Sequence, residues 1–448
     1  MSRLYFFYFL LMYFFLGFPV KDFGQACLVK IQKNDTKWQL TVDGKPYYIK
    51  GAGGDKHLDV LIQAGGNTIR TWGTENAKQI LDDAHRKGLK VMLGLWVQHE
   101  RHGFDYNDEF AVKKQLENFR KEVQKYKNHP ALLVWGIGNE YELNYTNTKV
   151  WAAVNAIAKM IHEEDPNHPT STVTAGTNPE KLKFVMDELT EIDIYGINTY
   201  ADIVNVKNVL ESGGFKGPYM ITEWGPTGHW EIAKTMWGSS IEQNSTEKAA
   251  SYLQRYQSFI ASQEEQCIGS FAFLWGQKQE YTSTWYGLFS EDGKPTEALD
   301  ALTKCWSGKY PENRSPSIKS VFFNGKENSL NAILKPGQSC SVRVEVLDLN
   351  QDKLSYVWEL YPESTDLKTG GDAEDKPALI YGRIKGRKTN AITLKAPLEE
   401  GRYRLFLFVH DGEKMAYLNI PFYVESNGQD LEIKRVQFKK QHFEKSEY

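Results

Sequence analysis

Cysteine is scarce in this 448-residue chain, with 4 in all (Cys27, Cys267, Cys305 and Cys340). That is too few for the dense cross-linking that holds small secreted folds together. An excess of positive charge is also missing. The 54 Lys and Arg face 57 Asp and Glu, for a net charge of −3, which removes any electrostatic case for nucleic acid as a partner. Past Phe18 there is no long apolar run, so no membrane span is expected. Internal repeats and low-complexity segments are absent too. What remains, at 41% hydrophobic and 25% charged residues, is a globular composition with length for about two or three domains.

The N-terminus carries a targeting pattern. Arg3 is followed by an almost unbroken apolar stretch, Leu4 to Phe18, of about 15 residues, short for a spanning helix. Gly24-Gln25-Ala26 then offers small residues where a signal peptidase reads. Residues 1–26 are therefore expected to be a signal peptide, and the mature protein to be exported (periplasmic, cell-surface or secreted). Cys27 directly follows Ala26, the place of a lipid anchor in bacterial lipoproteins. Gly24, however, stands where such leaders have Leu or Val, and a strand pattern begins at once, so both readings stay open. Export permits a disulfide. Cys267 precedes a predicted strand and Cys305 lies late in the helix after it, so the two could approach at one pole of a βα unit. Two reduced thiols are the alternative.

From Val29 the pattern is a hairpin-rich opening with an Asp43-Gly44 turn, and then strand, loop and helix in repetition. The strands are predicted at Tyr47–Gly51, Thr68–Trp72, Lys90–Val97, Ala131–Ile137, Thr170–Thr174, Ile192–Asn198, Pro218–Thr222 and Ile268–Trp275. Helical spacing of apolar residues occupies Asn76–Lys87, Phe110–Tyr126, Trp151–Ile161, Pro179–Leu189, Thr246–Ile260 and Thr296–Trp306. Gly88, Asn128-His129-Pro130 and Asn167-His168-Pro169 supply stops. Eight such units over roughly 260 residues have the count and length of a (β/α)8 TIM barrel. A doubly wound sheet fits less well, because no glycine-rich phosphate loop follows the first strand.

The barrel domain is placed at residues 27–310. Pro, Ser and Asn cluster at Pro311–Ser317, as at a boundary, and beyond it only strands are expected. They are Lys319–Phe323, Ser341–Leu347, Leu354–Leu360, Ala378–Tyr381, Ala391–Leu394, Tyr403–Val409 and Ala416–Tyr423, a β-sandwich over residues 317–425. The stretch Val346–Trp358 resembles immunoglobulin-like modules of the polycystic-kidney-disease type. Their acidic turn can bind calcium, but Asn350 and Gln351 dilute the charge here, and a solvated turn is expected. Because Tyr356, Trp358, Tyr403 and Phe406 alternate as core residues do, the sandwich reads as a rigid spacer. A polar tail, 426–448, closes the chain.

Two runs carry the chemistry. Trp135-Gly136-Ile137-Gly138-Asn139-Glu140 and Tyr219-Met220-Ile221-Thr222-Glu223-Trp224-Gly225 each take an apolar strand to a glutamate. A carboxylate there is costly to desolvate unless it is paired or used. Two carboxylates flanking one bond are the minimal machinery for cleaving a glycosidic link. Buried ion pairs or helix caps are the structural alternative. Gln98-His99-Glu100-Arg101-His102 has the wrong spacing for the helical zinc motif, which needs two His four apart around a Glu, so neither metal nor cofactor is expected. His99 either lines the cleft or caps a loop. Aromatics make up 13% of the chain, with 12 Trp and 24 Tyr. Trp72, Trp224, Trp230 and Trp275, at or near strand ends, are candidates for stacking on sugar faces. The loops Pro226–Gln243 and Gln277–Gly287 are too long to be connectors and read as substrate walls.

With the glutamates after the fourth strand and at the end of the seventh, the chain resembles glycoside hydrolase clan A from about Val29 to Trp306. Asn139-Glu140 matches the clan's Asn-Glu dipeptide, and Thr222-Glu223-Trp224-Gly225 the nucleophile segment. The stretch Asp43–Gly51 is similar to the barrel opening of clan members. The resemblance implies a retaining hydrolase with Glu140 as acid/base and Glu223 as nucleophile. It further implies that Asn139 bonds the sugar 2-hydroxyl, that Arg70 holds the nucleophile ionised and that Tyr200 hydrogen-bonds it. In layout the chain resembles glycoside hydrolase family 158, endo-β-1,3-glucanases, which implies a β-glucan polysaccharide or oligosaccharide of laminarin type as substrate. A β-1,3-glucan transglycosylase, a mannanase or galactosidase relative, and a non-catalytic glycan-binding protein are the competing expectations.

Overall fold

The computed structural model describes residues 26–327 and 331–426; nearly all of the expected signal peptide (1–26) and of the expected polar tail (426–448) lies outside the described residues. Three antiparallel strands come first, β1 (Val29–Asn34), β2 (Lys37–Val42) and β3 (Lys45–Tyr47). Eight parallel strands then close into a barrel: β4 (Ile49–Gly53), β5 (Thr68–Arg70), β6 (Lys90–Leu95), β7 (Leu132–Ile137), β8 (Thr170–Ala175), β9 (Ile194–Asn198), β10 (Tyr219–Trp224) and β11 (Cys267–Ala272). The helices are α1 (Leu58–Gln63), α2 (Ala77–Arg86), α3 (Glu109–Tyr126), α4 (Lys149–Glu164), α5 (Pro179–Glu188), α6 (Ile203–Ser212), α7 (Ser245–Arg255) and α8 (Glu297–Ser307). The TIM barrel of the sequence reading is thus present, with α1 and α6 added. The pattern missed α1 because it is short, and α6 because Ile203, Val204, Val206 and Val209 are β-branched.

Two apolar layers hold the barrel. Outside the strands, Ile69, Trp135, Ile137, Tyr195, Ile197 and Ile221 pack among the helices. Inside, Ile49, Met92, Val134, Val173, Met220, Ile268 and Phe271 fill the lower barrel, and Val29 and Leu40 of the opening meander join them. Gly51 has to be small: a Cβ there would stand 2.3 Å from the Phe271 ring. Cys27 is buried at this lower face, with Sγ donating to Leu132 O at 3.1 Å. All four cysteines are free thiols, so the Cys267–Cys305 disulfide does not form. Burial raises the Cys267 thiol to about 12.

The C-terminal part is a two-sheet sandwich. Its strands are β12 (Ser317–Phe323), β13 (Lys326–Glu327), β14 (Ala332–Leu334), β15 (Ser339–Leu347), β16 (Ser355–Pro362), β17 (Ile384–Lys385), β18 (Ala391–Lys395), β19 (Gly401–His410) and β20 (Met415–Val424). One sheet runs β13-β12-β15-β18-β17 and the other β14-β20-β19-β16. Trp358, Leu360, Leu405, Leu407 and Leu418 lie between them. The strand expected at Ala378–Tyr381 is a loop: Pro377 removes a donor, and Ile380 N to Leu360 O (2.8 Å) is its backbone bond to β16.

Buried ions tie sandwich to barrel. Arg404 pairs with Glu363 at 2.5 Å and donates to Ser240 O at 2.9 Å. Asn419 Nδ2 donates to Glu242 Oε2, whose other oxygen pairs with Lys248. No helix among the described residues is long and apolar enough to cross a membrane.

Candidate active site

Period-two alternation along the strands aims the polar residues of the upper barrel inward. On β5, Ile69 faces the helices and Arg70 the interior, 1% exposed. Its guanidinium donates to Glu223 Oε1 (2.9 Å), to Thr222 O (2.8 Å) and to Asn139 Oδ1 (2.6 Å). One buried cation thus braces the two segments that carry the glutamates. On β9 the same alternation turns Asn198 inward, where its Nδ2 donates to Glu140 Oε1 (2.8 Å) and Asn139 Oδ1 (3.1 Å). Asn198 was absent from the sequence candidates, although counting by twos from Ile194 reaches it.

Glu223 owes its direction to a register shift. Met220 lies inside the barrel and Ile221 outside, so strict alternation would turn Glu223 outward and Trp224 inward. The ladder shifts between Ile221 and Glu223 on one side and between Ile221 and Trp224 on the other. Such an irregularity re-aims side chains. Glu223 enters the cavity, and Trp224, fully buried, packs against Tyr252 and Tyr256 in the helix layer. Besides Arg70, Glu223 accepts from Trp72 Nε1 (2.8 Å) and Tyr200 OH (3.0 Å). Burial, then the neighbouring Glu223 charge, holds the Tyr200 hydroxyl well above its ordinary pKa, so it stays a donor.

Glu140 follows β7 in a left-handed backbone conformation, φ 50°, two residues after Gly138 at φ 73°. A non-glycine residue there is strained, as happens where function holds a side chain in place. Its backbone N–H is anchored on Val173 O at 2.9 Å. Burial and then the Glu223 charge raise its carboxyl from 4.5 to about 7, with Asn198 pulling the other way. This is the environment that keeps a carboxylic acid protonated near neutrality beside an ionised partner.

Both glutamates line one cavity of about 760 Å³, together with Asn139, Asn198, Tyr200 and Trp72. Trp230, 55% exposed, stands on its edge. Two expected platforms do not reach it. Trp224 is turned outward as described, and Trp275 packs against Phe289 and Trp306 in the helix layer. β11 ends at Ala272, so the alternation carries Phe271 and then Phe273 inward but is lost before Trp275. Phe273 lines the cavity instead. His99, 0% exposed, sits behind the wall, its ring stacked between Trp96 and His102.

Residues outside the sequence candidates complete the wall. Glu280 and Lys278, paired at 2.8 Å, come from the loop expected to be a substrate wall. Lys368–Asp372 come from the sandwich, which read as a spacer. His99, Glu100 and His102 do not converge on a metal site. Among the described residues the acidic cluster whose oxygens lie within reach of one another is Asp348, Asp352 and Asp411 on the sandwich, and none of these lines the cavity.

Residues 55–309, more than half of the chain, match the family model described as glycosyl hydrolases family 2, TIM barrel domain. Among curated proteins, a beta-glucuronidase of Paenibacillus borealis is 21% identical over 317 residues, covering 61% of this chain and 52% of that protein. A beta-galactosidase of Bacteroides ovatus is 26% identical over 202 residues, covering 38% and 23%. A solved beta-glucuronidase of Faecalibacterium prausnitzii aligns with a TM-score of 0.46 at 19% identity, covering 62% of this chain and 52% of that one. The chain thus spans about half or less of the length of these relatives. The clan agrees with the sequence resemblance, but the family is family 2 rather than family 158.

Proposed function

The chain belongs to glycosyl hydrolase family 2 through its TIM-barrel domain, and from that premise we propose that it is a retaining β-glycosidase acting on neutral β-D-hexopyranosides, with Glu223 as nucleophile and Glu140 as acid/base. The observation that carries the reading is the opposite treatment of two carboxyls on one cavity wall. Three side-chain donors converge on Glu223, while Glu140 is held near pKa 7 by burial and by its neighbour's charge.

In the first step a Glu223 oxygen forms an ester bond to the anomeric carbon as the glycosidic C–O bond breaks, and Glu140 gives its proton to the departing oxygen. Glu223 is then uncharged, so the repulsion that raised the Glu140 pKa falls away and Glu140 becomes the base for the second step. It takes a proton from water, whose oxygen attacks the anomeric carbon and releases Glu223. Asn139, held by Arg70 and Asn198, is the residue we assign to the sugar 2-hydroxyl.

The relatives' names suggest glucuronides or galactosides; the wall favours the neutral sugar. A uronate carboxylate is bound most strongly by a cation free to pair with it. Lys278 is bound to Glu280 and to Gly371 O at 2.8 Å each; Lys368 has its charge offset by Asp366 at 2.9 Å while keeping N–H donors for hydroxyls, and Asp202 and Glu231 add carboxylates to the wall. Trp230, exposed on the edge, favours a second reading, the endo-β-1,3-glucanase on laminarin. Aryl β-D-galactoside, glucoside and glucuronide assayed beside laminarin decide among these. Proton NMR of the first-formed sugar tests retention, and products longer than the substrate would show transglycosylation. Glu140→Gln and Glu223→Gln are each expected to lose at least ~10²-fold in rate; near-normal turnover by either would overturn the assignment. We also propose export, on the strength of Leu4–Phe18. A lipid on Cys27 would require its sulfur to leave Leu132 O, so the form proposed is a cleaved leader without an anchor, which fractionation and intact mass would check.

A further inference from the structure

The sandwich reaches the cavity through one segment, between β16 and β17. Lys368 to Asp372 border the cavity, held there by three separate barrel loops. From the loop after β6, Arg101 Nη1 pairs with Asp372 Oδ2 at 2.7 Å and donates to Thr369 O at 3.1 Å, and His102 Nε2 stands 3.0 Å from the same Asp372 oxygen. From the loop after β11, Lys278 Nζ donates to Gly371 O at 2.8 Å, and Tyr281 N donates to Glu374 Oε2 at 2.6 Å. From the loop after β7, Leu143 meets Gly370. A Cβ on Gly370 would lie 2.8 Å from Arg101 Nη2 and 3.1 Å from Leu143 Cδ2, and both Gly370 and Gly371 have positive φ. The positive φ at both positions favours glycine, and the missing Cβ leaves room for Arg101, Leu143 and Lys278 to close on the backbone. Burial of Asp372 works against its charge, yet the bonds from Arg101 and His102 hold its carboxyl below the usual range.

This clasp keeps a polar strip in place. The exposed side chains of Lys368 and Thr369 and the peptide groups of the two glycines suit a partner rich in hydroxyls. Catalysis on one pyranose needs only the region around Glu140 and Glu223, and a cavity of about 760 Å³ is in the range that accommodates a whole drug-sized ligand. We propose that Lys368–Asp372 form a saccharide subsite beside the catalytic pair, so that the sandwich reads a second sugar unit of the substrate. Asp372 is a positioning residue, acting through the strip it fixes. The inference rests on the glycosidase reading and deepens it.

The test is binding to the full chain carrying Glu140→Gln, which stops turnover. The probes are laminaritriose and β-1,4-galactotriose on one side, and on the other isofagomine, an imino sugar the size of one ring. Calorimetry on Asp372→Ala, Gly371→Val and the exposed-side-chain pair Lys368→Ala with Thr369→Ala should show the bound trisaccharide weakened about fivefold or more, as for loss of one or two hydrogen bonds. Isofagomine affinity should stay as it was, and Asp372→Glu should restore the trisaccharide. Equal weakening of both ligands overturns the proposal, as does an unchanged trisaccharide or a parent protein that binds neither. Turnover by the protein with Glu140 intact is read separately. Its absence sinks the glycosidase reading, while the binding comparison still decides the subsite.

Discussion

Replacing Glu140 by Gln should make the protein more stable, and increasingly so as pH rises. Folding displaces this carboxyl from 4.5 to about 7, through burial first and the Glu223 charge second. Between those limits the unfolded chain has released a proton that the folded chain still holds, so wild-type stability falls as pH climbs through the window. At 1.36 kcal/mol per tenfold, the displacement amounts to about 3 kcal/mol above pH 7 and to nothing below about pH 4. A Gln has no charge to desolvate, and its oxygen can still accept from Asn198 Nδ2, 2.8 Å away in the wild type. Glu223→Gln should go the other way, because it leaves the buried Arg70 guanidinium without its anion, a loss of about 3–5 kcal/mol. Calorimetry on both variants at pH 4.5, 6 and 8, following the barrel transition, reads the two signs. A Glu140→Gln gain of the same size at every pH, or a loss at pH 8, would refute the reasoning.

The alkaline limb of kcat/KM for an alkyl β-glycoside, a poor leaving group, should fall as pH rises through about 7, because Glu140 must be protonated to act as the acid. Asn198→Ala should move that limb upward, since its bond favours the ionised form. Trp230→Ala should raise KM about tenfold with no change in melting temperature, as expected for a stacking ring lost from a sugar site. Trp275→Ala should cost about 3–5 kcal/mol of stability and leave KM alone in the folded fraction, as for a large core residue. Lys248→Met strands the buried Glu242 and should lose about 3–5 kcal/mol, which Glu242→Gln in the same chain should partly restore. Reductant should leave the unfolding midpoint where it is, because the four thiols are already free.

The barrel was legible because its signals are local and repeated. Each strand is a short apolar run, each long helix has a 3.6-residue stripe, and turn residues punctuate both. The two glutamates were legible because a carboxylate closing an apolar strand is rare without a reason. The stacking residues were less so, since each depends on where its strand's alternation holds or fails. Phe273 continues the inward face of β11, whereas Trp275 lies beyond the end of the strand.

Chain order and composition alone determined that eight strand-helix units would close with Glu140 and Glu223 on the same rim, since barrel strands present their C-terminal ends to one face. Tertiary structure alone decided the rest. The ladder shift beside Ile221 turned Glu223 inward and Trp224 outward. Burial and the neighbouring Glu223 charge raised the Glu140 carboxyl, while Arg70, Trp72 and Tyr200 converged on Glu223 as donors. Contacts between residues some 270 positions apart brought a sandwich loop to the cavity wall. Each of these depends on what lies across space from a residue, and neighbours along the chain carry no record of it.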